Sequence, residues 1–220
     1  MNVRLYALRD AWALREVLRA LFWAVAGVFL VFVLWWATDT RAQIPREAQA
    51  YHREYVRIIR SEWGLEAPIA SLAAQLAQES AFQARAESRV GARGMAQFMP
   101  TTAAWIEEAR PDLKAHDLYS PAWSMRAQAV YMKWLRERVR ADNECERIGF
   151  VFQAYNSGLG WVKKRQALSR TPGRCFDAAC NINPGVLPAN QREAAEYPDR
   201  IERHWAPLFV ANGWGEKACP

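Results

Sequence analysis

Histidine is scarce in this chain, with three among 220 residues, and there are only four cysteines. None of His52, His116 or His204 stands beside Cys145, Cys175, Cys180 or Cys219, and the Cys-x4-Cys spacing of the close pair is loose for zinc, so no metal site is expected. A long Lys/Arg block is also missing, and with it the electrostatic footprint of a nucleic-acid binder. No alternation of apolar and polar residues is long enough to insist on a sheet, and no segment repeats. What is present is a globular composition, 51% hydrophobic and 24% charged, with eleven Trp and seven Tyr. The net charge of +6 is diffuse: five Arg against three acids fall before residue 42, leaving a mild excess over the rest. The length suits one domain with an appendage.

The appendage is N-terminal. Residues 1–19 form a short basic segment with Arg4, Arg9, Arg15 and Arg19, and Ala20 to Ala37 is an uncharged apolar run. At helical rise that run approaches the ~30 Å of a bilayer core. Basic residues before it place the N-terminus in the cytoplasm and the remainder outside, with Trp35 and Trp36 at the interface. The expectation is an inner-membrane anchor over 20–37, a linker over 38–46 and an exported domain over 47–220. A cleaved signal peptide is the alternative, since Thr40 and Ala42 offer small residues before Gln43. Either way all four cysteines reach an oxidising compartment. Three disulfide connectivities are possible, with Cys175–Cys180 and Cys145–Cys219 preferred.

Residues 47–63 carry Tyr51, Tyr55, Ile58 and Ile59 at helical spacing, and Gly64 ends the run. A second helix begins at Pro68 with Ile69, Leu72, Ala73 and Leu76 on one stripe and brings Glu79 to its end. Ser88 to Gly94 is turn chemistry. Pro100 and Pro121 open two further helices; Cys145, Ile148, Phe152 and Tyr155 mark another, which Gly158 and Gly160 should terminate. Residues 171–192 read as a loop, followed by a last helical stretch with Tyr197, Ile201, Trp205 and Leu208. The fold class is mainly α.

Glu79 is the residue best placed for chemistry: at the end of an apolar helix, partial burial disfavours its anion and lifts the pKa toward that of a general acid. The segments Gln78-Glu79-Ser80-Ala81-Phe82, Val90 to Pro100 and Ala154-Tyr155-Asn156-Ser157-Gly158, with the later Glu193-Ala194-Ala195-Glu196-Tyr197, resemble in order and spacing the lytic transglycosylases with a goose-type-lysozyme-like catalytic domain. The resemblance covers roughly residues 50 to 210. It implies a lysozyme-like helical domain, no cofactor, and peptidoglycan glycan strands as substrate. Glu79 would protonate the MurNAc–GlcNAc glycosidic oxygen and then accept the MurNAc 6-hydroxyl proton, leaving a 1,6-anhydro sugar. One carboxylate suffices when the substrate's own hydroxyl replaces water, whereas ordinary glycosidases need two.

The same resemblance implies that Gln97 bonds saccharide through its amide and that Tyr155 orients Glu79 through its hydroxyl. Ser80, Gly94 and Asn156 become supports of the cleft, Glu193 a wall residue and Tyr197 a packing residue. Trp161 is a candidate sugar platform on its own chemistry. Two departures stand out. Gly94-Met95-Ala96-Gln97 lacks the family's cleft-lining Met, so Met95 or Met99 is expected to fill that space, and Pro198 should kink or restart the last helix. A hydrolytic goose-type lysozyme or phage endolysin, and a non-catalytic wall-binding component of an envelope assembly, are the rival readings. Secretion, conjugation, phage action and wall turnover are all roles such an enzyme would suit.

Overall fold

The computed structural model describes Trp23 and residues 43–114 and 117–220. The chain divides into units 1–43 and 44–220, and the second is the domain considered below. The expected anchor lies outside the described residues except for Trp23, and so do most of the linker and His116. Among the described residues no helix is long and apolar enough to cross a membrane.

The described residues of the second unit are mainly helical. It comprises α1 (Arg46–Trp63), α2 (Ile69–Ser80), α3 (Pro100–Ala109), α4 (Pro121–Arg136), α5 (Glu144–Ser157), α6 (Leu159–Leu168), α7 (Pro188–Asp199), a π-helical segment (Arg200–Trp205) and α8 (Ala206–Ala211). Two of these are central. Every residue of α2 from Ile69 to Ala77 is buried, as is every residue of α5 from Ile148 to Ala154, so both are enclosed on all sides by the others. Helix α1 packs on α4, α2 against the π segment and α8, and α5 against α4, α6 and α7.

Caps explain where the helices start. Ser120 accepts the Trp123 N–H at the head of α4, and Asn143 accepts the Glu146 N–H at the head of α5. Gly158, at φ 92°, turns the chain from α5 into α6. Gly160 therefore does not terminate α5 but lies in the first turn of α6, where amide hydrogens have no intrahelical partner and glycine is tolerated. The expected loop over 171–192 is shorter than predicted: Ala179–Asn181 is a 3₁₀ turn, and Pro188 occupies the first turn of α7, where its missing N–H costs nothing.

The last helix, which Pro198 is expected to kink or restart, runs through that proline as α7 and changes to π winding at Arg200. A proline at 198 cannot bond the carbonyl of Ala194. That carbonyl receives a side chain instead, the buried Gln153 Nε2 at 3.1 Å, which also donates to the Cys180 carbonyl at 2.8 Å.

Both preferred disulfides are present. Cys145–Cys219 joins α5 to the tail, and Cys175–Cys180 closes the loop after α6. The tail is further pinned to α2, because the Ala70 N–H donates to the Glu216 carbonyl at 3.0 Å and the Ala218 N–H to Ser71 Oγ at 2.8 Å. Trp214 is buried among His52, Tyr55, Phe82 and Phe209.

Candidate active site

Helix α2 stops one residue after Glu79. Ala81 and Phe82 both adopt left-handed backbone, at φ 52° and 63°, a conformation that costs a non-glycine residue roughly 1–2 kcal/mol. The Phe82 ring is buried against Phe209 and Trp214, and this packing holds the sharp exit. As a result Glu79 lies in the half-buried last turn of a buried helix, with the core beneath it.

The Glu79 carboxyl has two donors on one oxygen. Oε1 accepts from the Tyr197 hydroxyl and from Gln75 Nε2 at 3.3 Å. Burial pushes the group from its ordinary 4.5 to about 7; the bonds from Tyr197 and Gln75 oppose the rise, and the charge of Glu193 adds to it. Gln75 also donates to the Tyr197 hydroxyl at 3.1 Å. Sequence reasoning missed Gln75, although a lone amide one turn before Glu79 on an apolar stripe was a usable signal.

The hydroxyl bonded to Glu79 is that of Tyr197 and not that of Tyr155. The Tyr155 hydroxyl donates to the Ala96 carbonyl at 2.7 Å, so it anchors the glycine-rich loop; the Glu79 charge is still felt there, as the second cause after burial of its raised phenol. The resemblance implies a packing role for Tyr197, and its ring is buried, but it does not reveal where the hydroxyl at the tip ends.

Residues 86–98 fold back on themselves. The Gly94 N–H donates to the Ala86 carbonyl at 2.8 Å, and Arg93 and Phe98 exchange two backbone bonds at 3.0 and 3.1 Å. Only glycine fits at 94: its φ is +76°, and a Cβ would fall 1.7 Å from the Leu118 carbonyl oxygen. Ser80 Oγ ties this loop to the end of α2 by donating to the Met95 carbonyl at 2.7 Å. Met95 itself is wholly buried and does not line an opening, because the turn at Gly94 sends its side chain into the core; Met99 is the exposed one, at 40%. Gln97 is partly committed to the loop, its Nε2 donating to the Ala86 and Gly94 carbonyls at 3.1 and 2.8 Å. Its Oε1 is left as the atom able to meet a ligand.

Glu193 is exposed on α7, where Asn156 Nδ2 approaches it at 3.5 Å. Trp161 is exposed on α6 with Lys164 Nζ over its ring at 5.2 Å. Glu87, the acid next after Glu79, lies on the solvent side, accepting from the Tyr119 hydroxyl and pairing with Arg93 at 3.7 Å. Among the described residues no cluster of three or more His, Cys, Asp or Glu side chains is arranged to hold a metal ion.

The chain resembles known proteins in sequence and in fold. The membrane-bound lytic murein transglycosylase F of Shewanella frigidimarina is 31% identical over 186 residues, covering 77% of this chain and 37% of the relative. Its namesake in Pasteurella multocida is 33% identical over 103 residues, 46% of this chain and 20% of the relative. The chain thus spans from a fifth to little more than a third of these curated relatives. The 70 kDa soluble lytic transglycosylase of Escherichia coli superposes with a TM-score of 0.56 at 21% identity, over 74% of this chain and 25% of that one. The inactive mutant of lytic transglycosylase Slt from Pseudomonas aeruginosa gives 0.57 at 22%, over 77% and 25%. Both share the helical fold. The family model for the transglycosylase SLT domain matches residues 57–174, more than half of the sequence, and the chain belongs to that family.

Proposed function

We propose that this domain is a peptidoglycan lytic transglycosylase in which Glu79 serves alone as acid and then base. The observation that carries the reading is the state of that carboxyl: half-buried at a helix end, proton-bearing near neutrality, and joined by hydrogen bonds to an amide and a phenol rather than to a second carboxylate. Protonated, it can donate to the leaving glycosidic oxygen; once ionised, it can take the proton of the MurNAc 6-hydroxyl as that oxygen closes on C1. The proton removed equals the proton given, so the acid is regenerated without water.

Around it, the Gln97 Oε1, Glu193 and Trp161 are proposed contacts to the glycan, and Ser80, Gly94, Asn156 and Tyr155 hold the walls. Residues 20–37 are proposed to anchor the domain in the inner membrane, facing a periplasmic substrate. The test is incubation of purified sacculi with the protein and with Glu79→Gln. The native protein should release anhydromuropeptides, the variant none while remaining folded. Muropeptides one water heavier, with free reducing ends, would instead identify a hydrolase.

A further inference from the structure

Beneath Glu79 runs a line of buried polar side chains that crosses the core from α1 to α7. Gln75 and Gln128 are wholly buried, and so is Tyr55. Buried amides in an apolar core are costly unless every group is paired. Here the pairing has a direction. The carbonyl of Leu72 can only accept, so the atom of Gln128 that approaches it at 2.9 Å is the amide nitrogen. The second hydrogen on that nitrogen goes to Gln75 Oε1 at 2.8 Å, and Gln128 Oε1 takes the Tyr55 hydroxyl at 2.8 Å.

With its oxygen so occupied, Gln75 must present nitrogen to the site, and it donates to Tyr197 at 3.1 Å and to Glu79 Oε1 at 3.3 Å. The Tyr197 oxygen is then an acceptor, and its single proton points at the same Oε1. Both lone pairs of Oε1 are filled. We propose that the line Tyr55–Gln128–Gln75–Tyr197, oriented by the Leu72 carbonyl, reserves Oε1 of Glu79 as an acceptor and assigns the transferable proton to Oε2. Gln75 and Gln128 are then positioning residues. The use of that proton in glycan cleavage rests on the function proposed above; its location does not.

The other titratable groups near the carboxyl are Glu193, on α7 with Tyr197, and Tyr155 on α5. Glu193→Gln therefore serves as a control that moves the Glu79 midpoint downward, since it removes a neighbouring negative charge.

The decisive measurement is neutron diffraction from deuterium-exchanged crystals of the native protein held well below neutrality, together with a carbon-13 carboxyl titration of Glu79. A deuteron on Oε2 is expected; one on Oε1 overturns the assignment. In the titration, Gln75→Leu/Gln128→Leu removes both amides together, so neither is stranded without the other, and the midpoint should rise by about one pH unit as the anion loses a donor. Gln128→Leu alone touches nothing on Glu79 yet should move it in the same direction, because the Gln75 amide is then free to turn over. Unmoved midpoints in both variants would reduce the line to ordinary core packing. A deuteron on Oε2 in a protein that releases no anhydro-sugars would keep this inference and sink the proposed function.

Discussion

The Glu79 carboxyl, half-ionised at 4.5 in an ordinary setting, is held protonated to about 7, because burial outweighs the bonds from Tyr197 and Gln75. If the protonated form is the active one, kcat/KM on soluble glycan should fall as pH rises through about 7. Stability should follow a related course. A carboxyl with a raised folded pKa costs nothing below 4.5, and its penalty grows between 4.5 and about 7. That gap corresponds to about 3 kcal/mol at full ionisation. Urea denaturation should therefore find Glu79→Gln more stable than the native protein by up to about 3 kcal/mol at about pH 8, and no more stable at about pH 4. Tyr197→Phe removes the phenolic donor from Oε1 and should reduce turnover by roughly 10–100-fold while lifting the pH midpoint, since bonds to charged groups are worth about 1.5–3 kcal/mol. Turnover and midpoint both unchanged would return Tyr197 to a packing role.

At the scale of the elements, the abrupt end of α2 invites a direct experiment. Ala81 sits where glycine is normally found at a helix end, with φ at 52°. Ala81→Gly should relieve the strain and raise stability by about 1 kcal/mol in denaturant titration, without loss of activity. Gly94→Ala should do the reverse and more, because the Leu118 carbonyl cannot yield to a new Cβ. These elements also show what the sequence makes legible. The stripe of α2, the prolines opening α3 and α4, and Gly64 closing α1 are local signals with local causes, and they matched the structure. Helix α6 escaped notice because two glycines two residues apart read as a stop, whereas one makes a corner and the other begins the next helix. Within the site, Glu79 was visible from its place on a helix. The bond from Tyr197 to Glu79 and that from Gln128 to Gln75 were not, since they span 118 and 53 residues and only packing decides that these side-chain tips meet.

Across the whole molecule, the Cys145–Cys219 bridge closes a separation of 74 residues, and with Trp214 and the backbone bonds to α2 it fastens the tail over the helix that carries Glu79. In the chain-entropy account a loop of this size is worth about 4 kcal/mol, the five-residue Cys175–Cys180 loop about 2. Reduction should therefore lower the unfolding midpoint markedly, and Cys145→Ser/Cys219→Ser should account for most of the loss, measured by denaturation with and without thiol.

Gln153 and Pro198, on the two packed helices α5 and α7, constrain how this chain can have changed over time. In a lineage already holding the glutamine, the Ala194 carbonyl keeps a donor whether or not residue 198 is proline. A lineage that acquired the proline first would pass through an intermediate with a stranded carbonyl in the core. The route into the present pair is thus easier in one order than in the other, and substitutions at the two positions should be found correlated among descendants.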